Sequence, residues 1–149
     1  MTKNHATITI GKLAEMCGVR IDTIRYYERF KLVQAERRSK SGYRLYDANS
    51  VRQVMFIKNA KELGFTLAEI KRLLTLKSSK DATCATMLER THQKIIEAKK
   101  QVKELERVEK ALTHLSKICP GGDTPISQCP ILDHLYPKHK ASAIGTAHD

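Results

Sequence analysis

Tryptophan is missing from this 149-residue sequence, and aromatic residues of all kinds make up 5% of it. The apolar share, 41%, still suffices for a core, part of which a second molecule can complete. No apolar run approaches the ~20 residues that a membrane-spanning helix requires. The stretch from Met1 to Ile10 is polar and lacks the apolar centre of a secretion signal. Both absences point to a cytoplasmic protein with no membrane partner. A glycine-rich phosphate loop, paired carboxylates and a set of oxyanion donors are also missing. The Cys and His residues therefore have no catalytic surroundings, and the sequence does not read as an enzyme. Cysteines number four, at Cys17, Cys84, Cys119 and Cys129. In a reducing compartment they read as structural or metal-binding rather than disulfide-paired.

Glycine and proline, seven and four in all, are absent between residues 83 and 118. Neither helix breaker interrupts that stretch, so it reads as one long helix. Leu88, Ile95 and Val102 recur every seven residues, with Ala98 and Leu105 at the complementary spacing; the apolar beat then shifts to Val108, Leu112 and Leu115. Such a stripe on a polar helix needs a partner surface. The helix would be about 54 Å long at ~1.5 Å per residue, and nothing else in the chain is long enough to cover it. A second copy of the chain is the expected partner, and an intramolecular helical hairpin is the alternative.

Net charge is +11 and unevenly placed. Residues 1–75 carry 15 Lys and Arg against 7 Asp and Glu, and residues 76–149 carry 12 against 9. A basic N-terminal half suits a polyanion, most simply nucleic acid. There, Ile10, Leu13, Ala14 and Cys17 fall on one helical face, Gly18 interrupts, and Ile21, Ile24, Tyr27 and Phe30 mark a second helix. A small residue at Ala14 and a glycine four residues later have the spacing of a helix-turn-helix. The second helix presents Thr23, Arg25, Tyr26 and Arg29 outward, side chains suited to phosphates and base edges. Residues 37–46 read as a short hairpin turning at Ser41-Gly42, with Arg37, Arg38, Lys40 and Arg44 along it. Asp47 caps a third helix ending at Gly64. Thr66 and Glu69 form a capping box that opens a fourth helix through about Leu76.

Ile10-Gly11-Lys12-Leu13-Ala14, Asp22-Thr23-Ile24-Arg25-Tyr26-Tyr27-Glu28, Gly42-Tyr43-Arg44-Leu45-Tyr46 and Leu63-Gly64-Phe65-Thr66-Leu67-Ala68-Glu69-Ile70 together resemble the MerR family of bacterial transcription regulators, to about Leu135. One departure is that Arg20 and Ile21 stand where family members often carry a Ser or Thr that caps the recognition helix. The resemblance implies an all-α fold with a small β wing: a winged helix-turn-helix head on a long antiparallel coiled-coil dimerisation helix. The corresponding division is a DNA-binding domain over 1–76, a linker over 77–82, the dimerisation helix over 83–118, a metal-binding loop and short helix over 119–136, and a flexible tail over 137–149. It further implies a homodimer on a palindromic promoter of double-stranded DNA, acting with RNA polymerase. Thr23, Arg25 and Tyr26 would be helix contacts, and Arg37, Arg38, Tyr43 and Arg44 wing contacts. In relatives the activated dimer kinks and untwists an over-long promoter spacer.

The outer cysteines carry the second half of the reading. Cys119 and Cys129 close a Pro- and Gly-rich loop, after which Cys129 and Pro130 open a short helix. Cys84 lies ~50 Å from Cys119 along a straight helix. One chain therefore cannot join them at one metal, whereas an antiparallel dimer sets Cys84 of one chain beside Cys119 and Cys129 of the other, twice per dimer. Divalent-metal sensors of the family resemble this chain at Cys84. Three thiolates suit a divalent soft ion: Hg or Pb in three-coordination, Cd or Zn with a fourth ligand such as water, Asp123 or a histidine. His114, His134, His139 and His148 are candidate extras. The alternative is a thiol-redox regulator with a Cys119–Cys129 disulfide.

Overall fold

The computed structural model describes residues 6–136. By contacts the chain divides into two compact units after Lys94. The first opens with a two-residue strand, β1 (Ile8–Thr9), where the sequence reads as a loose start. Thr9 then caps α1 (Ile10–Cys17), its hydroxyl accepting from the Lys12 amide at 3.3 Å. Leu13, Ala14 and Cys17 are buried as the spacing predicts. Gly18 stops the helix at φ 61°, its amide reaching Ala14 and Glu15 carbonyls. A β-carbon there would be strained in this left-handed conformation and would meet Lys58 Nζ at 3.3 Å. That ammonium donates to the Cys17 carbonyl at 3.2 Å, placing a cation at the negative end of α1.

Helix α2 (Ile21–Arg29) follows with Arg20 as its N-cap and no side-chain cap hydrogen bond, so the missing Ser or Thr has no substitute in that role. Asp22 instead places a negative charge in the first turn. Ile24 and Tyr27 point into the core. Ile21 and Phe30, which share their helical spacing, stay substantially exposed. Phe30 packs edge-on against Tyr26, ring centroids 4.8 Å apart, on the outer face. Just past the helix, Lys31 adopts φ 56°, a left-handed conformation unusual for a residue with a side chain.

Two further strands, β2 (Arg37–Arg38) and β3 (Arg44–Tyr46), make the hairpin. Gly42, at φ 85°, donates to the Ser39 carbonyl at 2.9 Å in the turn. Strand β3 is central in the antiparallel order β1-β3-β2, pairing Ile8 with Tyr46 and Arg38 with Arg44. Asp47 accepts from the Ser50 amide at 2.8 Å and starts α3 (Ala48–Glu62). Gly64, at φ 85°, turns the chain, and the Thr66–Glu69 capping box opens α4 (Leu67–Ser78), which runs two residues beyond Leu76. Leu13, Ile24, Val33, Tyr46, Val54, Ile57 and Ile70 are fully buried in one shared core. Burying such a side chain contributes roughly 1.5–3 kcal/mol.

Helix α5 (Cys84–Ile118), 35 residues long, starts in the first unit and ends in the second. In the first unit Lys94 donates to both Glu69 oxygens at 2.9 and 3.1 Å and sits over the Phe65 ring, 5.3 Å from its centroid. In the second, Leu115 is the buried residue of the helix, while Ile95, Val102, Leu105, Val108 and Leu112 of the expected stripe are exposed. A loop with Gly121 and Gly122 both left-handed leads through a 3₁₀ turn (Ile126–Gln128) to α6 (Pro130–Leu135). No helix among the described residues is long and apolar enough to cross a membrane.

Candidate nucleic-acid interface and outer thiols

The structure distributes the seven expected DNA contacts over three depressions of the first unit. Thr23 and Tyr26 line one together with Arg20 and Lys61, the latter a cation from α3 that sequence reasoning did not single out. Arg25 lines a second, facing the turn residues Gly42 and Tyr43 and the strand residue Arg44. Arg37, Arg38 and Arg44 line a third, with Glu28. Arg44 borders two of them and so joins the recognition-helix side to the wing side. Thr23 is half-buried, and the other six are exposed. Tyr26 is held from two directions, by the Phe30 ring and by Arg29, whose guanidinium carbon lies 5.5 Å from the Tyr26 centroid.

The wing is a concentrated positive surface. Arg38 and Arg44 lie directly across the strand pair, an arrangement that costs energy unless anions offset it. Arg38 Nη1 donates to the Gly42 carbonyl at 2.9 Å, and Arg37 Nη2 donates to the Thr7 hydroxyl at 3.1 Å. Of the two acids in this region, Glu36 is exposed just before β2, and the other is the half-buried Glu28. It accepts from Arg44 at 3.0 Å and from the Tyr46 hydroxyl at 2.8 Å. Burial first, and donation to Glu28 second, push the Tyr46 phenol up to about 12. Tyr46 therefore stays a donor across the physiological range. Sequence reasoning missed Glu28 because its partners lie 16 and 18 residues away. The available signal was an acidic side chain beside Arg25 and Arg29 on the helix expected to face DNA.

The thiols lie elsewhere. Cys17 is buried in the core, its Sγ 3.8 Å from the Val51 carbonyl, and burial raises its pKa. Cys84 is the first residue of α5 and exposed; Cys119 and Cys129 are half-buried, and all are free thiols. The Cys119 amide donates to the Leu115 carbonyl at 3.2 Å, tying the start of the loop to the end of α5. Cys129 is the N-cap of α6 with Pro130 first in the helix, as expected, and its carbonyl accepts from the Asp133 amide at 3.1 Å. Among the described residues of one chain, no three Cys, His, Asp or Glu side chains form a metal-sized group. Asp123, His114 and His134 are exposed. The expected tail over 137–149, with His139 and His148, lies outside the described residues.

A helix-turn-helix with a cationic three-stranded wing defines a winged DNA-binding protein, with a long helix appended. Residues 8–77 match the family described as MerR HTH family regulatory protein, and residues 51–115 the one described as MerR, DNA binding. The chain is 41% identical over 129 residues to the mercuric resistance operon regulatory protein of Bacillus cereus, covering 87% of this chain and 97% of the relative. Its fold matches that of the transcription regulator PbrR691 from Ralstonia metallidurans CH34 in complex with lead(II), with TM-score 0.70 and 28% identity over 87% of this chain and 99% of the other. It also matches HiNmlR, a MerR family regulator lacking the sensor domain, bound to promoter DNA, with TM-score 0.54 and 25% identity over 75% and 85%. The chain belongs to the MerR family of DNA-binding transcription regulators and is not an enzyme.

Proposed function

We propose that this regulator responds to a divalent thiophilic ion, Hg, Pb, Cd or Zn. The ligands would be Cys119 and Cys129 of one chain with Cys84 of the partner subunit, giving two ions per homodimer. The observation that carries this reading is the placement of three free thiols at the two ends of α5, whose apolar stripe lies bare in one chain. An antiparallel pairing of α5 covers the stripe and brings the two ends together. The donor set fits: three soft sulfurs, two bounding a loop that consecutive left-handed glycines let turn tightly. When bound, the ion supplies a cross-link between thiolates of the two chains. The mercury- and lead-associated relatives support the same class of inducer.

On the DNA side, Thr23, Arg25 and Tyr26 meet the major groove, with Arg25 reading bases, while Arg37, Arg38, Tyr43 and Arg44 hold the backbone. The dimer binds a palindromic promoter operator and activates RNA polymerase by distorting the DNA between its heads. The Cys119–Cys129 loop and α6 bias α5 toward one arrangement, and α4, tied to α5 through Glu69 and Lys94, carries that bias to the head.

The test is in vitro transcription from a promoter carrying the operator. Soft divalent ions induce transcription by the wild-type protein, and Cys84→Ser removes induction while leaving operator binding intact. Retained induction in Cys84→Ser would show that the site is wrongly assigned. Arg25→Ala weakens operator binding and leaves metal affinity nearly unchanged; equal loss of both would instead indicate unfolding.

A further inference from the structure

Helix α2 carries two acids, the exposed Asp22 in its first turn and Glu28 in its last, among the outward-facing Thr23, Arg25, Tyr26 and Arg29. Glu28 is the one that reaches the wing. By charge alone it opposes binding to a polyanion. Its surroundings give it a different role. The carboxylate sits in the last turn of α2, its side chain 14% exposed, and its two oxygens accept from two different side chains of β3. Arg44 Nη1 donates to Oε2 at 3.0 Å, and Tyr46 Oη donates to Oε1 at 2.8 Å. Tyr46 is fully buried in the core and β3 is the central strand of the wing, so both bonds end on the best-anchored part of the sheet. One carboxylate therefore ties the recognition helix to the wing.

Two consequences follow from removing it. Arg44 would face Arg38 across the strand pair without the carboxylate that it now contacts. The Tyr46 hydroxyl, in a buried ring, would lose its acceptor. With Glu28 in place, Arg44 is held at one nitrogen while its side chain remains 48% exposed, leaving other N–H groups for a phosphate.

We infer that Glu28 is a positioning residue for DNA recognition: it fixes the spacing between α2 and the wing and orients Arg44, so that helix and wing engage one duplex in a single geometry. The inference rests on the DNA-binding role of the head. It makes a prediction opposite in sign to that of simple electrostatics. Neutralising an acid on a DNA-facing surface should tighten binding, whereas losing a positioning residue should weaken binding to the preferred sequence.

The experiment uses the full chain and two probes, a duplex that the wild-type protein enriches from a random-sequence library and a scrambled duplex of equal length. Glu28→Gln weakens binding to the enriched duplex on the order of tenfold. Binding to the scrambled duplex stays level or tightens, so selectivity falls. In an Arg44→Gln background the same change has little further effect. Tyr46→Phe, which keeps the ring in the core and removes one of the two bonds, gives a smaller loss of the same kind. Circular dichroism and thermal midpoints check the fold; should Glu28→Gln unfold, Tyr46→Phe decides, and an unchanged selectivity there overturns the inference. So does a folded Glu28→Gln protein that binds the enriched duplex as tightly as wild type or more tightly. A wild-type protein that enriches no duplex overturns the DNA-binding role together with the inference, which separates the two failures.

Discussion

Glu69 serves two partners at once. Its carboxylate closes the capping box on the Thr66 amide at 2.7 Å and receives both Lys94 bonds, with the Lys94 side chain 13% exposed. The Thr66 amide first, and Lys94 second, hold its carboxyl below the usual carboxylate range. A lowered carboxyl contributes stability that is fully present above the ordinary value of 4.5 and is lost as pH falls through the folded-state value. Glu69→Gln keeps an acceptor for the capping box but removes the charge facing Lys94. It should lower stability at neutral pH by about 1 kcal/mol, and the difference from wild type should shrink toward zero in acid, where wild-type Glu69 is also neutral. Denaturant unfolding at a series of pH values checks both parts; a constant difference at all pH would point to packing rather than charge. The capping box was legible in the sequence because its members are three residues apart. The Lys94 contact was not, since that residue lies 25 positions away on a helix with many lysines.

Among the elements, α5 decides the assembly. Its existence was legible because a long stretch without Gly or Pro and with a heptad stripe has few other ways to fold. Ile95, Val102, Leu105, Val108 and Leu112 remain exposed in one chain, Leu105 by 68%. Val102→Lys preserves helix propensity but places a charge in the proposed seam twice per dimer. It should weaken the homodimer by roughly 3 kcal/mol or more, on the order of a hundredfold. Sedimentation equilibrium measures this, with helicity by circular dichroism as the control; an unaltered dimer, or a wild-type monomer, would contradict the coiled-coil seam. Strand β1 shows the limit of reading elements from sequence. Ile8 and Thr9 carry no pattern of their own, and they become a strand only because Tyr46 and Leu45, far along the chain, pair with them. The start of α2 is a second case. Without a capping side chain at Arg20, its first turn rests on backbone bonds and on Asp22, neither of which marks a boundary in the sequence.

At the scale of the whole molecule, the cationic head and Cys84 belong to the first unit, and Cys119 and Cys129 to the second. The head was largely legible because its motifs are local: Gly18, Asp47, Gly64 and Thr66 each close or open a helix through contacts within a few residues. The candidate metal site was legible only as a pattern of cysteines, since its proposed ligands come from two molecules. The proposed metal site is tested by metal titration of the reduced chain, read by mass spectrometry under native conditions. Mercury, lead, cadmium, zinc and copper(I) are compared in competition. A site shared between subunits predicts two divalent ions per dimer, both lost on Cys84→Ser. Ions retained by the Cys84→Ser protein would contradict it, as would wild-type protein that holds none and instead loses two protons per chain on mild oxidation.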